Sequence, residues 1–384
     1  MKLLIIGGSG VLSSAVVKEA LNQKMDVTIV NRGNRRQIFA EGVHFIKADY
    51  HNKGLMLEKL KGLHFDAVID FICFKKEQIA YSVDLLSPFA DQYIFISSAC
   101  VYNTAIPGKK NENSETVLKE WDYSVNKWDC EEYLRKVAAE KCVQYTIVRP
   151  CITYDDTRIP YGIMPPYGYH WTWIARLLAG KPIIRWDGGT AKWNMMRVED
   201  FAVGVVGIIG NANAINEAFN ICGDEICTWN EVVETVASHF GKDVVYFDIS
   251  SNEYGKLCPA KKGEIAGRSL DAVIDNSKIK HVVPSYKMTL SLRDGIEKTI
   301  CAYQEQKYQK GIDWKYDAEC DRIISSIGKQ KAIDVSQYKL GFVDYLQNAS
   351  AKDTRTYWLE LHRDNKIVKM FMKMRNAFSR IVRK

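Results

Sequence analysis

Residues 1–20 read MKLLIIGGSGVLSSAVVKEA, and this stretch decides how the rest of the chain is read. An apolar run, Leu3 to Ile6, leads straight into the small-residue cluster Gly7-Gly8-Ser9-Gly10, and a helix-like pattern over 13–23 follows. A buried strand, a tight turn and a helix N-terminus together make a cradle for phosphate. Glycine permits the turn and a close backbone approach, and the open amides of the first helical turn favour negative charge. Here Gly7 permits the turn and Gly10 the approach. The third glycine such a loop usually carries, three residues on, is Ser13, one small side chain at the helix–sheet contact. A glycine-rich strand-to-helix turn that holds no ligand is the alternative reading of the loop taken alone.

Outward from this loop the same alternation continues. Strand-like runs are KLLIIG (2–7), DVTIVN (26–31), VHFIKA (43–48), FDAVIDFI (65–72), QYIFISS (92–98) and QYTIVRP (144–150), separated for the most part by helix-like segments such as 13–23, 53–61, 76–86 and 123–139. Alternating strands and helices predict an α/β fold, a doubly wound parallel sheet covered on both faces. From 154 to 190 the pattern breaks into an aromatic, Pro/Gly-rich region, which reads as a long functional loop or lid. RVEDFAVGVVGIIG (197–210) then reads as a helix, AFNICG (218–223) as a strand, TWNEVVETVASHFG (228–241) as a helix, DVVYFDIS (243–250) as a strand and 286–310 as a helix. The expected organisation is a first domain over 1–155 with 190–225 returning to it, a smaller second domain from 156–189 and 226–310, and a helical extension over 311–384.

An apolar content of 47% and a charged content of 26% are those of an ordinary globular chain, and no run of about 20 apolar residues suggests a membrane span. The opening apolar run is cut by glycines and followed by no cleavage pattern, which reads as a cytoplasmic protein. The ten cysteines are scattered without a C-x-x-C pair, as expected of reduced thiols, and no Cys/His cluster has the spacing of a zinc site. The formal charge of +7 is concentrated: residues 366–384, KIVKMFMKMRNAFSRIVRK, carry seven Lys/Arg and no acid, which leaves the rest of the chain neutral. A broadly basic nucleic-acid-binding face is therefore not expected. In this tail Ile367, Met370, Met374, Phe378 and Ile381 recur at helical spacing. That pattern reads either as a basic amphipathic helix for an anionic membrane surface or as a helix packing on the body or on a second subunit.

Further motifs fit the glycine loop. The second strand ends in Asn31, followed by Arg32, Arg35 and Arg36. An acid here commonly bonds a ribose hydroxyl; asparagine can do the same, and a nearby arginine suits a 2′-phosphate, which favours NADP over NAD unless the arginines are merely solvated. Downstream, Tyr123 and Lys127 stand four apart on a predicted helix and so share a face. An ammonium beside a phenol favours the phenolate and makes Tyr123 a candidate acid or base. Ser97 and Ser98 end the preceding strand, where a hydroxyl could bond the reacting oxygen.

With these residues in place, residues 1–310 resemble the extended short-chain dehydrogenase/reductases, the NAD(P)-dependent family that acts mostly on nucleotide sugars. The likeness rests on Gly7-Gly8-Ser9-Gly10, Asp49, Ser98 to Tyr102, Tyr123/Lys127, Arg149-Pro150 and MRVEDFA (196–202). It implies a Rossmann-type fold and a Ser98–Tyr123–Lys127 triad. The dinucleotide site it implies takes in Gly7, Ser9, Gly10, Val11, Leu12, Asn31, Arg32, Asp49, Tyr50, Ser97, Tyr123, Lys127 and Pro150. The implied partner is a nucleotide-sugar substrate, with a homodimer as a further expectation. The chain also departs from the family. Ala99-Cys100 replaces the Asp-Glu pair of the 4,6-dehydratases, Ile152 stands for an asparagine, and Trp193 stands where an arginine usually grips the diphosphate; Lys192, Arg197, Lys261 or Lys262 are candidates to replace it. SSACVY (97–102) is similar to the same stretch of GDP-mannose 3,5-epimerase and GDP-fucose synthase, which implies carbon-proton exchange by Cys100, with His170 as a second group in the substrate pocket. Packing is the alternative for both residues, and for the aromatics Tyr161, Tyr167, Tyr169, Trp171 and Trp173, which otherwise could stack on a sugar or base. A rival reading comes from the RNA-binding chloroplast stem-loop-binding proteins, whose second strand ends rather like NRG; a cofactor-binding scaffold without turnover is a third.

Overall fold

The computed structural model describes residues 1–33, 42–163, 165–166, 168–305, 311–341 and 349–382, the last eight of these as backbone only. The first six strands along the described residues are β1 (Lys2–Ile6), β2 (Asp26–Asn31), β3 (Val43–Lys47), β4 (Phe65–Asp70), β5 (Ala90–Ile96) and β6 (Tyr145–Pro150). Six more follow: β7 (Ile152–Tyr154), β8 (Ile183–Trp186), β9 (Lys192–Arg197), β10 (Glu217–Ile221), β11 (Ile226–Thr228) and β12 (Tyr246–Ile249). The chain divides into two compact units. The first is Met1–Asp155, Ala191–Trp229 and Lys261–Gly295; the second is Asp156–Thr190, Asn230–Ala260 and Ile296–Lys384.

The first unit is built on a seven-stranded sheet in the order β10-β6-β5-β4-β1-β2-β3, every pair parallel. Apolar runs such as Leu3-Leu4-Ile5-Ile6 are what a strand buried on both faces requires. Leu3 and Ile5 enter one core with Val16, Val17, Phe201 and Val205 of the helices Val11–Asn22 and Val198–Gly207. Leu4 and Ile6 enter the other with Met56, Ile79, Val83 and Leu134 of the helices Lys53–Leu60, Lys76–Leu86 and Asp122–Lys141. The strand order reverses between β1 and β4. In such folds the crevice beyond the carboxyl ends of these two strands is where ligands bind.

The short strands were not legible as strands. β7, β9 and β11 make a small sheet in which β9 pairs parallel to β7 and antiparallel to β11. Residues 261–295, expected in the second domain, belong to the first unit. Ala272 and Ile274 bridge to Trp193 and Lys110, and Ile279, Val283 and Tyr286 join the core beneath the sheet.

The stretch 154–190, expected as a long loop, begins at the end of β7 in the first unit and, within the second, contains the helix Trp171–Leu178 and β8, which pairs parallel to β12. Among the described residues of 311–384 are the helices Trp314–Lys331, Ala351–Leu361 and Lys366–Val382. The first of these carries Asp317 and Asp321 one turn apart and fully buried. Arg176 Nη1 bonds both carboxylates, at 2.6 and 2.9 Å, and Lys181 Nζ lies 2.8 and 2.7 Å from them. The unit is thus pinned internally by two cations and two anions.

Candidate active site

The loop after β1 is built as its glycines require. Gly7 and Gly8 have φ of +111° and +72°, and a Cβ on Gly8 would stand 2.5 Å from Ile29 Cγ2. Both positions are left-handed, where a side chain is strained. Gly10 is the N-cap of the helix Val11–Asn22, so Val11 and Leu12 lie in its first turn. Ser13 is buried, and its hydroxyl accepts the Gly10 amide at 2.9 Å. The serine in place of the usual glycine therefore closes the first turn as a capping side chain.

Asn31 ties the end of β2 to this loop. Its Nδ2 donates to Gly7 O at 3.0 Å, and its Oδ1 accepts the Gly33 amide at 2.8 Å, so both ends of the amide are engaged within the turn. Arg32 is exposed beside it, and Arg35 and Arg36 lie outside the described residues. Asp49 is exposed and caps its own turn, Oδ1 accepting the His51 amide at 3.0 Å; Tyr50 next to it is buried edge-on to Tyr81.

Across the crevice, β4 ends in a buried polar cluster that the sequence did not single out. Asp70 Oδ1 accepts the Ile72 amide at 2.8 Å. Its Oδ2 receives the Cys73 thiol at 3.1 Å and the Ser82 hydroxyl, and the Tyr93 hydroxyl lies 2.9 Å away. Burial and the neighbouring carboxylate push the Cys73 thiol and the Tyr50 phenol up, so both stay protonated. These bonds shape the turn after β4 so that the Cys73 carbonyl faces inward, where it meets Lys127.

Tyr123, Lys127 and Glu131 form one row along the helix Asp122–Lys141. Tyr123 is half-buried at its start, 5.8 Å from the ring of Trp121. Lys127 is buried, and its Nζ donates to Cys73 O at 2.7 Å and to Ile96 O at 2.9 Å, 4.4 Å from the centre of the Phe74 ring. Burial lowers its pKa to about 8; the nearby Cys130, Asp70, Cys73 and Glu131 act in the opposite direction. Glu131, also missed from the sequence, accepts the Ser97 hydroxyl at 2.6 Å and takes Arg149 as a two-pronged pair at 3.0 and 2.6 Å. The arginine partners hold its carboxyl below the usual range against burial, which alone would raise it. Ser97 is thereby held inward, and Ser98, the next residue, has its Oγ on the Cys100 amide at 3.1 Å. Pro150 is buried at the end of β6, beyond Arg149.

Cys100 is half-buried. Burial raises its pKa, and Arg268 and the Ser98 hydroxyl draw it back. Arg268 comes from the helix Lys262–Arg268, which presses on Trp121 through Gly263 and Gly267: a Cβ on Gly263 would stand 2.6 Å from Glu120 O, and one on Gly267 would enter the Trp121 ring. Trp193 is buried and tilted 5.9 Å from Trp229. Of the cations expected to replace an arginine there, Lys192 is exposed at the start of β9. Arg197 is buried with its fork on Glu199, at 3.0 and 2.8 Å, and its remaining prong on Gly295 O at 3.2 Å.

His170 belongs to the second unit. It is buried there, and desolvation, helped by Arg158, lowers its pKa to about 4, so the ring is neutral at physiological pH. Tyr161 and Trp173 stack at 4.9 Å inside the same unit and are both buried, a packing role; Trp171 meets Phe240 and Tyr303 edge-on. Tyr167 lies outside the described residues. No helix among the described residues is long and apolar enough to cross a membrane.

A family model described as the NAD dependent epimerase/dehydratase family matches residues 3–222. Among known proteins, 2′-dehydrokanamycin reductase of Streptomyces kanamyceticus is 22% identical over 288 residues, covering 75% of this chain and 80% of that protein. The chloroplast stem-loop binding protein of 41 kDa b of Arabidopsis thaliana is 24% identical over 313 residues, covering 77% of each. Among solved structures, UDP-glucuronic acid 4-epimerase from Bacillus cereus, in complex with UDP-glucuronic acid and NAD, matches with a TM-score of 0.63 at 19% identity, over 80% of this chain and 100% of that one. At this identity the structural match speaks for the fold.

Proposed function

We propose, since the chain belongs to the NAD-dependent epimerase/dehydratase family, that it is an NAD(P)-dependent epimerase or ketoreductase of a nucleotide sugar, working through Ser98, Tyr123 and Lys127. The observation that carries this is Lys127. A buried ammonium is costly, and here it is held by the carbonyls that follow β4 and end β5, at the carboxyl edge of the sheet and one helical turn from a half-buried tyrosine.

The left-handed Gly7 and Gly8 and the helix N-terminus behind Gly10 fit a dinucleotide pyrophosphate, and Asn31 holds the loop in that shape. Bound there, the dinucleotide supplies a hydride donor or acceptor. Tyr123 takes or returns the proton of the sugar hydroxyl, Lys127 favours its phenolate through charge, and Ser98 orients the oxygen. In this reading Cys100 exchanges a carbon-bound proton, and its raised pKa keeps it a thiol at neutral pH until the exchange. The exposed Arg32 favours NADP, and Arg32→Ala should weaken NADP more than NAD; equal weakening would remove the arginine from the site.

The name of the Streptomyces relative supports the reductase half of this reading. The Arabidopsis relative supports a second reading, RNA binding on the same fold. Mass spectrometry of small molecules that copurify with the protein separates them. A bound dinucleotide with a nucleotide sugar supports the first. Protein that carries neither, but binds stem-loop RNA with a steep salt dependence, supports the second.

A further inference from the structure

The helix Lys366–Val382 shows a division of faces that its sequence alone did not. Val368 is buried and Met372 half-buried, one turn apart, and these residues seat the helix on its unit. The apolar stripe beside them points outward: Ile367 is 73% exposed, Met370 60%, Phe371 43% and Met374 62%. Positions 367, 370, 371 and 374 share one face of a helix. The preceding helix, Ala351–Leu361, extends this patch, because Arg355 lies 5.7 Å over the Phe371 ring and Trp358 is 46% exposed. The base is fixed: the Tyr357 hydroxyl donates to Asp321 at 2.5 Å, and Arg322 bonds Asp364 in the connecting turn at 3.0 Å.

Lys366, Lys369 and Lys373 are exposed in a second row that borders the stripe. Residues 366–384 hold seven cations and no acid. We propose that this face docks on an anionic lipid surface, with Ile367, Met370, Phe371, Met374 and Trp358 entering the headgroup boundary and the lysine row meeting the lipid charges. Charge decides the occupant. A second copy would bring two lysine rows together, each offset by Asp364 at 3.9 Å from Lys369, and the remaining excess of like charge opposes such pairing. An anionic bilayer satisfies both rows at once, and flexible methionines adapt to its irregular boundary. One such helix without a lipid chain gives reversible attachment.

The test is sedimentation of full-length protein with vesicles of phosphatidylcholine alone, and of phosphatidylcholine and phosphatidylglycerol in equal parts. The protein should sediment with the mixed vesicles only, and less at high salt. Replacing Lys366, Lys369 and Lys373 together by Gln should weaken partitioning by about 100-fold. Met370→Glu with Met374→Glu should abolish it, and thermal unfolding should be unchanged in both variants because all five positions are exposed. Indifference to the mixed vesicles, equal binding to neutral ones, or a dimer that the methionine substitutions dissociate would overturn the proposal.

Discussion

Tyr123 and Lys127 sit in different electrostatic surroundings although one helical turn separates them. Lys127 is buried among carbonyls and rings, whereas Tyr123 is half-buried. Tyr123→Phe removes one hydroxyl from a partly open position, so unfolding and dinucleotide binding should stay near the parent values. Turnover of the copurifying substrate should fall by at least ~100-fold, the range for losing a positioned acid or base. Steady-state kinetics and dinucleotide titration on one preparation check both halves, and undiminished turnover removes Tyr123 from the chemistry. His170 gives a prediction of another kind. Its folded pKa of about 4 lies below the ordinary 6.5, so the unfolded chain takes up a proton first as the pH drops. The stability that goes with the neutral ring is fully present above pH 6.5 and is lost as pH falls toward 4, by about 3 kcal/mol at most. Urea unfolding between those limits should show this loss in the parent and not in His170→Gln; equal slopes would mean that the ring is not held neutral by burial.

Among the elements, the strand–turn–helix at the N-terminus was readable because each part carries its own local signal: a double-faced apolar strand, left-handed glycines and a small-residue cap. The role of Ser13 was not readable, because its meaning depends on a hydroxyl reaching one amide. Glu131 is similar. It continues the row of Tyr123 and Lys127, a signal the spacing did offer, but its partners Ser97 and Arg149 come from two strands far away in sequence. Strands β7, β9 and β11 run to no more than six residues and are defined by pairing with distant segments, so periodicity had little to work on. The helix Trp171–Leu178 was hidden by aromatic composition and by Pro and Gly on both sides. The cap can be tested directly. Ser13→Gly restores the residue usual in such loops, yet here it removes the bond to Gly10 and adds backbone freedom within the helix. The protein should lose roughly 1–2 kcal/mol in urea unfolding. No change, or a gain in stability, would mean that the serine is only tolerated.

On the scale of the whole molecule, the family match ends at residue 222, and the last seventy-odd residues read from sequence as an extension. In the second unit they also carry buried charge. Arg176 and Lys181 are buried in this unit, and their counterions Asp317 and Asp321 both lie on the helix Trp314–Lys331. A chain truncated after residue 310 therefore keeps two buried cations and loses both carboxylates. Breaking a buried pair from one side costs about 3–5 kcal/mol, a large share of the total stability of a domain. Truncation should leave the second unit unfolded or aggregating, whereas the first unit, whose sheet and glycine loop use no residue beyond 295, should keep its dinucleotide affinity where soluble protein is recovered. Charge and packing can be separated within the intact chain. Asp317→Asn should destabilise by about 3 kcal/mol or more. Adding Lys181→Met to Asp317→Asn should recover part of the loss, because it removes one buried ammonium and leaves Arg176 with Asp321. Urea unfolding followed by tryptophan fluorescence reads these differences. A truncated protein as stable as the full chain, or a double variant no better than Asp317→Asn alone, would show that the quartet is incidental and that residues 311–384 are an appendage after all.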